Sequence, residues 1–319
     1  MADFKNKIKH FGMLGMVLAV VLTLVITPGC IIDEDEFDPE AETLTVFDDM
    51  GNNVTVEKYP MRIASLSPSA TEILYALDVG DRIVGIDSAS NYPSEASNHE
   101  VVFTYTGLNN EKLVEVNPDL VILNHNLDLS GNARSKIKEF GYSLVILNPV
   151  IIEDVLDNIE LIGKLTGRDS EAKVLMDTME DKIDEIEAKG LEHSSQTTTK
   201  VLYVVDYDGS DDPWVACENT YVDDIITKAG GMNIISGYEG FIQVSLETIV
   251  DENPDIIICS QNDAFPTPTR ETILADPVLK ELDAVEAGEI YDVNADIVER
   301  PGPRITEGLE FFYQHISDL

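Results

Sequence analysis

Basic residues are scarce in this chain: 21 lysines and arginines stand against 60 aspartates and glutamates, a formal charge of -39 over 319 residues. A surface that negative repels phosphate backbones and anionic lipid, which excludes nucleic acid as a partner, and its bland consequence is solubility in salt that screens self-repulsion. The five histidines (His10, His99, His125, His193 and His315) show no metal-ligand spacing, so no resident metal is expected. No Walker loop, HExxH or Gly-x-Ser-x-Gly is present, so nothing marks a nucleophile or an activated water, and the chain reads as a non-enzyme without a cofactor. Cysteine is nearly missing, and Cys217 and Cys259, far apart in the body of the chain, read as free buried thiols. Short-period repeats are absent, which excludes a solenoid. What remains is a 44% hydrophobic chain long enough for one large or two medium domains.

The N-terminus is of a different kind. Lys5, Lys7, Lys9 and His10 precede an apolar run over residues 11 to 26, followed by Thr27, Pro28, Gly29 and Cys30. A basic segment, a short apolar segment and a small residue before a cleavage point make a secretory signal, and sixteen residues is short for a membrane-spanning helix. The Gly-Cys resembles the lipobox of exported lipoproteins, with Thr27 and Pro28 standing where that motif has leucine and a small residue. The resemblance implies that Cys30 carries a lipid anchor on the outer face of the cell membrane. IIDEDEFDPEAE, from residue 31, is too acidic and too poor in apolar residues to fold and reads as a tether as far as residue 43.

Beyond the tether the chain is organised around DSEAKVLMDTMEDKIDEIEAKG, residues 169 to 190. There Ala172, Leu175, Met179, Ile183 and Ile186 recur at three- and four-residue steps, the spacing of an amphipathic helix, with Gly190 ending it. NNEKLVEVNPDLVIL (109 to 123) precedes this helix and SLETIVDENPDIIIC (245 to 259) follows it. In each, a capping residue (Asn109, Ser245) stands two places before a glutamate (Glu111, Glu247), and Asn-Pro-Asp and an apolar strand follow at the same spacing. Proline disfavours a helical residue before it, so each reads as a short helix stopped before a buried strand. Two similar halves joined by a strut follow from that recurrence.

Elsewhere residues 44 to 56 read as a β-hairpin about Gly51-Asn52-Asn53. Strands are expected at 63 to 66, 83 to 86, 120 to 123, 144 to 147, 201 to 206, 256 to 259 and 290 to 293, with helices to residue 77, at 133 to 140, at 152 to 165 and from Gly302-Pro303 to the end. Ser69 with Glu72 three residues later fits a capping box, which assigns Glu72 to a helix end. Strands alternating with helices predict an α/β fold: two lobes with central, largely parallel sheets joined by a long rigid helix. The expected segments are 1–30 signal and anchor, 31–43 tether, 44–166 first lobe, 167–192 linking helix and 193–319 second lobe.

RIASLSPSATEILYALDVGDRIVGIDSASNYP (62 to 93), TGLNNEKLVEVNPDLVIL, QVSLETIVDENPDIII and ERPGPRITEGLE (299 to 310) resemble, in the same order, the periplasmic binding proteins that capture vitamin B12 and ferric siderophores for ABC importers. The likeness spans residues 44 to 319. It implies a monomeric, extracytoplasmic receptor that delivers a metal chelate to a permease dimer with its ATPase, and that touches the membrane only through its N-terminal anchor. Scattered histidines argue against the zinc- and manganese-binding relatives. The resemblance further implies that Glu111 and Glu247 lie on the outer face of the lobes and pair with permease arginines, where capping of the helix dipole would otherwise account for each.

For the ligand, Tyr105, Trp214 (the only tryptophan, in the polar loop DGSDDPWVACENT) and Phe241 are aromatic candidates for the mouth between lobes. Phe241 is as well explained as a core residue. Asp296 and Arg300 are expected on a loop, because Pro301 disfavours helix at Arg300. Arg300 and Arg304 are two of only five basic residues after position 200, which suggests an anchor for a phosphate or carboxylate. The resemblance implies ligand contact at Asp296 and Arg300 and leans toward a corrinoid. A ferric siderophore or haem is the alternative, and a surface sensor or adhesion module without a permease is the rival of another class.

Overall fold

The computed structural model describes residues 43 to 262 and 267 to 319. The expected signal, Cys30 and nearly all of the tether lie outside the described residues. Strands β1 (Thr43–Phe47) and β2 (Asn53–Glu57) form the expected antiparallel hairpin, Val46 opposite Val54. Its turn is closed by the Asp48 carboxylate, which accepts from the N–H groups of Met50 and Asn52.

The first large sheet follows in chain order: β3 (Ile63–Leu66), α1 (Pro68–Ala76), β4 (Ile83–Asp87), β5 (Val101–Thr104), β6 (Gly107–Leu108), α2 (Asn110–Val116), β7 (Leu120–Asn124), α3 (Asn132–Glu139) and β8 (Ser143–Leu147). Its order is β6-β5-β4-β3-β7-β8, parallel throughout except for the β5–β6 pair. Every residue of β3 and β7 is buried, because helices cover both faces of a parallel sheet and leave no alternation to read.

Helix α4 (Ile152–Thr166) leads through Gly167 into α5 (Asp169–Ser194). Gly190 does not end α5, which continues for a further turn. The residue is there because the backbone of residues 228 to 230 crosses α5 at that point, and a Cβ on Gly190 would lie 2.3 Å from the Lys228 carbonyl oxygen. Met179, Ile183 and Ile186 are buried in one core cluster shared with both sheets, and Leu175 packs against it. The strut is thus a packed element, lodged against α4 and two helices of the second half.

That second half runs β9 (Thr199–Asp206), β10 (Trp214–Ala216), α6 (Tyr221–Lys228), β11 (Gly231–Asn233), β12 (Phe241–Gln243), α7 (Leu246–Glu252), β13 (Ile256–Gln261), α8 (Thr269–Ala275), α9 (Asp283–Ala287), β14 (Ile290–Asn294), α10 (Ala295–Val298) and α11 (Ile305–Ser317). The sheet order is β12-β10-β9-β13-β14 with β11 also on β9. The core is parallel and the β10 and β12 edge antiparallel. Trp214 therefore opens a strand rather than lying in a loop, and Cys217 and Cys259 are free and buried.

The duplicated units fold alike. Helices α2 and α7 each begin at a side-chain cap (Asn109 to the Lys112 N–H, Ser245 to the Thr248 N–H) and each end at an asparagine with positive φ, Asn117 at 42° and Asn253 at 44°. The next aspartate then grips the backbone of a distant basic residue, Asp119 that of Arg62 and Asp255 that of Lys200, while the same Arg62 and Lys200 side chains donate to the last carbonyls of the helix. So the helix ends are set by asparagine in the left-handed region and a basic cap, with proline only following.

Two expected helix starts shift. Ser67, not Ser69, caps α1, accepting from the Ala70 N–H, and Glu72 is turned away from that helix end. Gly302-Pro303 precedes α11, which begins at Ile305.

Candidate functional site

The carboxyl ends of the central strands of both sheets face one cleft with room for about 280 Å³. From the first half come Ser67 and Ser69, after β3, and Asn124, the last residue of β7, with Asn126 just beyond it. From the second come Val205, Tyr221, Phe241 and the segment 299 to 301. Ligand sites in open α/β sheets form at these ends because loops can vary there without disturbing the core. The serine hydroxyls hydrogen-bond each other at 2.9 Å, and Asn124 Oδ1 accepts from the Asn126 N–H, so both serines and Asn124 are oriented by their own loops. The Tyr221 and Phe241 rings lie 5.9 Å apart as an apolar wall.

Beside this cleft an ion cluster ties one half to the other. Glu72 on α1 is 4% exposed and accepts from Arg304 Nε at 2.9 Å and Nη2 at 2.6 Å, a bidentate pair. Arg300 Nη1 donates to Asn91 Oδ1 at 2.7 Å and lies 3.6 Å from Glu72, and its Nη2 lies 2.6 Å from Asp296. The Arg304 guanidinium rests 3.9 Å over the Tyr92 ring. Gly302 packs beside Ser69, where a Cβ would stand in ordinary contact, 3.4 Å from the Ser69 backbone. Glu72 is thus an anchor between halves and not a helix cap. Asp296 lies in the short helix α10 rather than on a loop, and from there it holds Arg300 at the i+4 position.

Two further carboxylates lie close by. Glu299 lines the cleft, accepts from the Tyr203 hydroxyl at 2.9 Å, and is held above the ordinary carboxylate range by burial. Asp87 is pushed in the same direction by burial, opposed by bonds from Ser90 and the Ala89 N–H and by the Arg300 charge. Burial carries the Tyr221 phenol far above its usual value, and its hydroxyl donates to the Glu299 carbonyl, so it faces the cleft as a neutral ring.

The remaining sequence candidates divide between the cleft and the surface. Tyr105 is 87% exposed on the turn between β5 and β6. Trp214 is 43% exposed, opposite Asp206 and Gln243, one residue beyond Val205. Phe241 and Arg300 line the cleft. Glu111 and Glu247 are exposed in the first turns of α2 and α7, at matched positions of the two duplicated units. Sequence reasoning missed Asn124, Asn126, Tyr221 and Glu299, and misassigned Glu72. Asn124 and Asn126 had a signal, as polar residues ending a buried strand. Tyr221 and Glu299 had none, because only the packing of α6 and of the end of α10 brings them to the cleft. Among the described residues there is no cluster of histidine, cysteine or acidic groups able to hold a metal, and no helix long and apolar enough to cross a membrane.

Comparison with known proteins accords with this architecture. An uncharacterised ABC transporter substrate-binding lipoprotein of Bacillus subtilis is 31% identical over 93% of this chain and 94% of its own length. A vitamin B12-binding protein of Vibrio vulnificus is 27% identical over 84% of this chain and 94% of its own. The crystal structure of a possible iron-binding, periplasmic solute-binding protein of Staphylococcus epidermidis superposes with a TM-score of 0.69 at 31% identity, covering 81% of this chain and 99% of that one. The model of the periplasmic binding protein family matches residues 63–297, and with two sheets opening on one cleft the chain belongs to that family, whose members bind solutes and do not transform them.

Proposed function

We propose that this protein is the extracytoplasmic receptor of an ABC importer, which captures a metal chelate, a corrinoid by preference, and hands it to a permease dimer driven by an ATPase. The observation that carries the importer reading is the matched pair of surface glutamates. Capping of a helix dipole accounts for Glu111 or Glu247 singly, but not for the same exposed carboxylate at the same offset in both halves. Two such anchors suit a two-fold partner bearing one arginine for each half. Lipid attachment at Cys30 would hold the receptor at the outer face of the membrane.

The ligand reading rests on the cleft. Its Phe241 and Tyr221 wall suits a flat ring system, and its asparagines and serines suit peripheral amides and hydroxyls. A ligand larger than 280 Å³ overruns the mouth beside Val205, where Trp214 would meet it from the second sheet; Tyr105, just after β5 of the first sheet, is proposed as a contact from the other half. The vitamin B12-binding relative favours a corrinoid. A ferric chelate is the second reading, favoured by the possible iron-binding structure at 31% identity.

Titration calorimetry of residues 43 to 319 with cobalamin, cobinamide and a ferric hydroxamate tests capture. Exchange of Glu111 and Glu247 together for alanine should then leave the measured affinity intact and abolish uptake by cells that carry the transporter. Uptake that survives the double exchange refutes the docking assignment.

A further inference from the structure

Resting on that reading of the cleft, we propose that the site selects chelates whose buried face is neutral or cationic and turns away those that present carboxylates or phosphates there. Two basic residues beside a cleft in so acidic a chain suggest an anion anchor from sequence alone, and the geometry points the other way. Arg304 has Nε and Nη2 on Glu72, at 2.9 and 2.6 Å. Arg300 has Nη2 2.6 Å from Asp296, and it donates through Nη1 to Asn91. The two guanidinium charges are therefore already matched by two carboxylates before any ligand arrives.

The side chains on the cleft wall tip the balance further. Of the described residues that line it, the charged ones are Arg300 and Glu299, and Glu299 is paired with a tyrosine hydroxyl rather than with a cation. An anionic group entering here meets a carboxyl group that makes no ion pair of its own, with only the Arg300 charge nearby. To gain a cation it must also draw Arg300 from Asp296 and Asn91, leaving partly buried polar groups without partners. An amide N–H, a hydroxyl or an ammonium can use Glu299 as an acceptor, whereas the Asn124 and Asn126 amides, which donate as well as accept, serve either kind of ligand. The overall charge of -39 acts in the same direction at long range, lowering the encounter rate of polyanions.

The test uses pairs of ligands that differ in charge and share a scaffold: cobalamin and the monocarboxylic acid obtained by hydrolysing one of its side-chain amides; the diamide of haem and haem itself; a ferric trihydroxamate with a free terminal amine and the same chelate succinylated there. Dissociation constants for residues 43 to 319 are measured by calorimetry at low ionic strength and neutral pH. On whichever scaffold binds, the neutral or cationic member should be tighter by roughly tenfold or more, as for like charges brought together at a partly desolvated site. Glu299→Gln should narrow that gap by improving the acid. Equal or tighter binding of the acidic member of the bound scaffold overturns the selectivity while leaving chelate capture standing. Failure of all six compounds to bind overturns both.

Discussion

Removing the Glu72 carboxylate isolates what joins the halves of this protein beside the cleft. In Glu72→Ala, Arg304 loses both of its hydrogen bonds to that carboxylate and Arg300 loses a carboxylate 3.6 Å away, while the two guanidinium side chains stay only 14% and 12% exposed. Stripping one partner from a buried ion pair costs about 3–5 kcal/mol, because the remaining charge is left desolvated without compensation. Asp296, 2.6 Å from Arg300 and 3.8 Å from Arg304, and the Tyr92 ring under Arg304 recover part of this, which places the expected loss near 3 kcal/mol, about the lower end of that range. For a body of this size, whose unfolding entropy is about 0.6 kcal/mol/K, that is a fall in melting temperature of roughly 5 °C. Thermal and urea unfolding of residues 43 to 319 read it directly. Pairing Glu72→Ala with Arg304→Ala in a double-mutant cycle separates the coupling from the cost of each truncation. A loss below about 1 kcal/mol would place the pair with solvent-screened surface bridges and refute the description of Glu72 as an anchor.

Gly190→Ala tests the helix crossing. An unobstructed helical glycine gains about 1 kcal/mol on becoming alanine, but here the new methyl would lie 2.3 Å from the Lys228 carbonyl oxygen, and overpacking of that kind costs about 1–3 kcal/mol. A net loss of stability in urea unfolding is expected, and a gain refutes the close approach. Glu299→Gln tests the buried carboxylate. Burial raises its folded value above that of the unfolded chain, so its contribution is fully present when the group is protonated and fades as pH rises through the raised range. The glutamine variant should therefore gain on the parent as pH rises above the ordinary carboxylate range. A difference that does not change with pH refutes that assignment.

The sequence alone determined the α/β alternation, the duplicated unit and the long helix, because each rests on local or periodic information. Apolar steps of three and four mark α5, and Asn-Pro-Asp after a short amphipathic stretch marks the ends of α2 and α7, whose exposed glutamates were legible for the same reason. Short edge strands such as β10 and β12 were not legible, since three residues carry no periodicity and only pairing defines them. Gly190 read as a helix end because glycine's usual local use is termination. The backbone that crosses it comes from nearly forty residues away, and only tertiary structure supplies that neighbour. Glu72 and Arg304 show the same limit most clearly. The pair is separated by 232 positions, so each was assigned from its own neighbourhood, Glu72 to a helix cap and Arg304 with Arg300 to an anion anchor. The fold takes Glu72 from that helix end to Arg304 by burying the two against each other, because a charge taken out of water needs a partner wherever in the chain that partner lies.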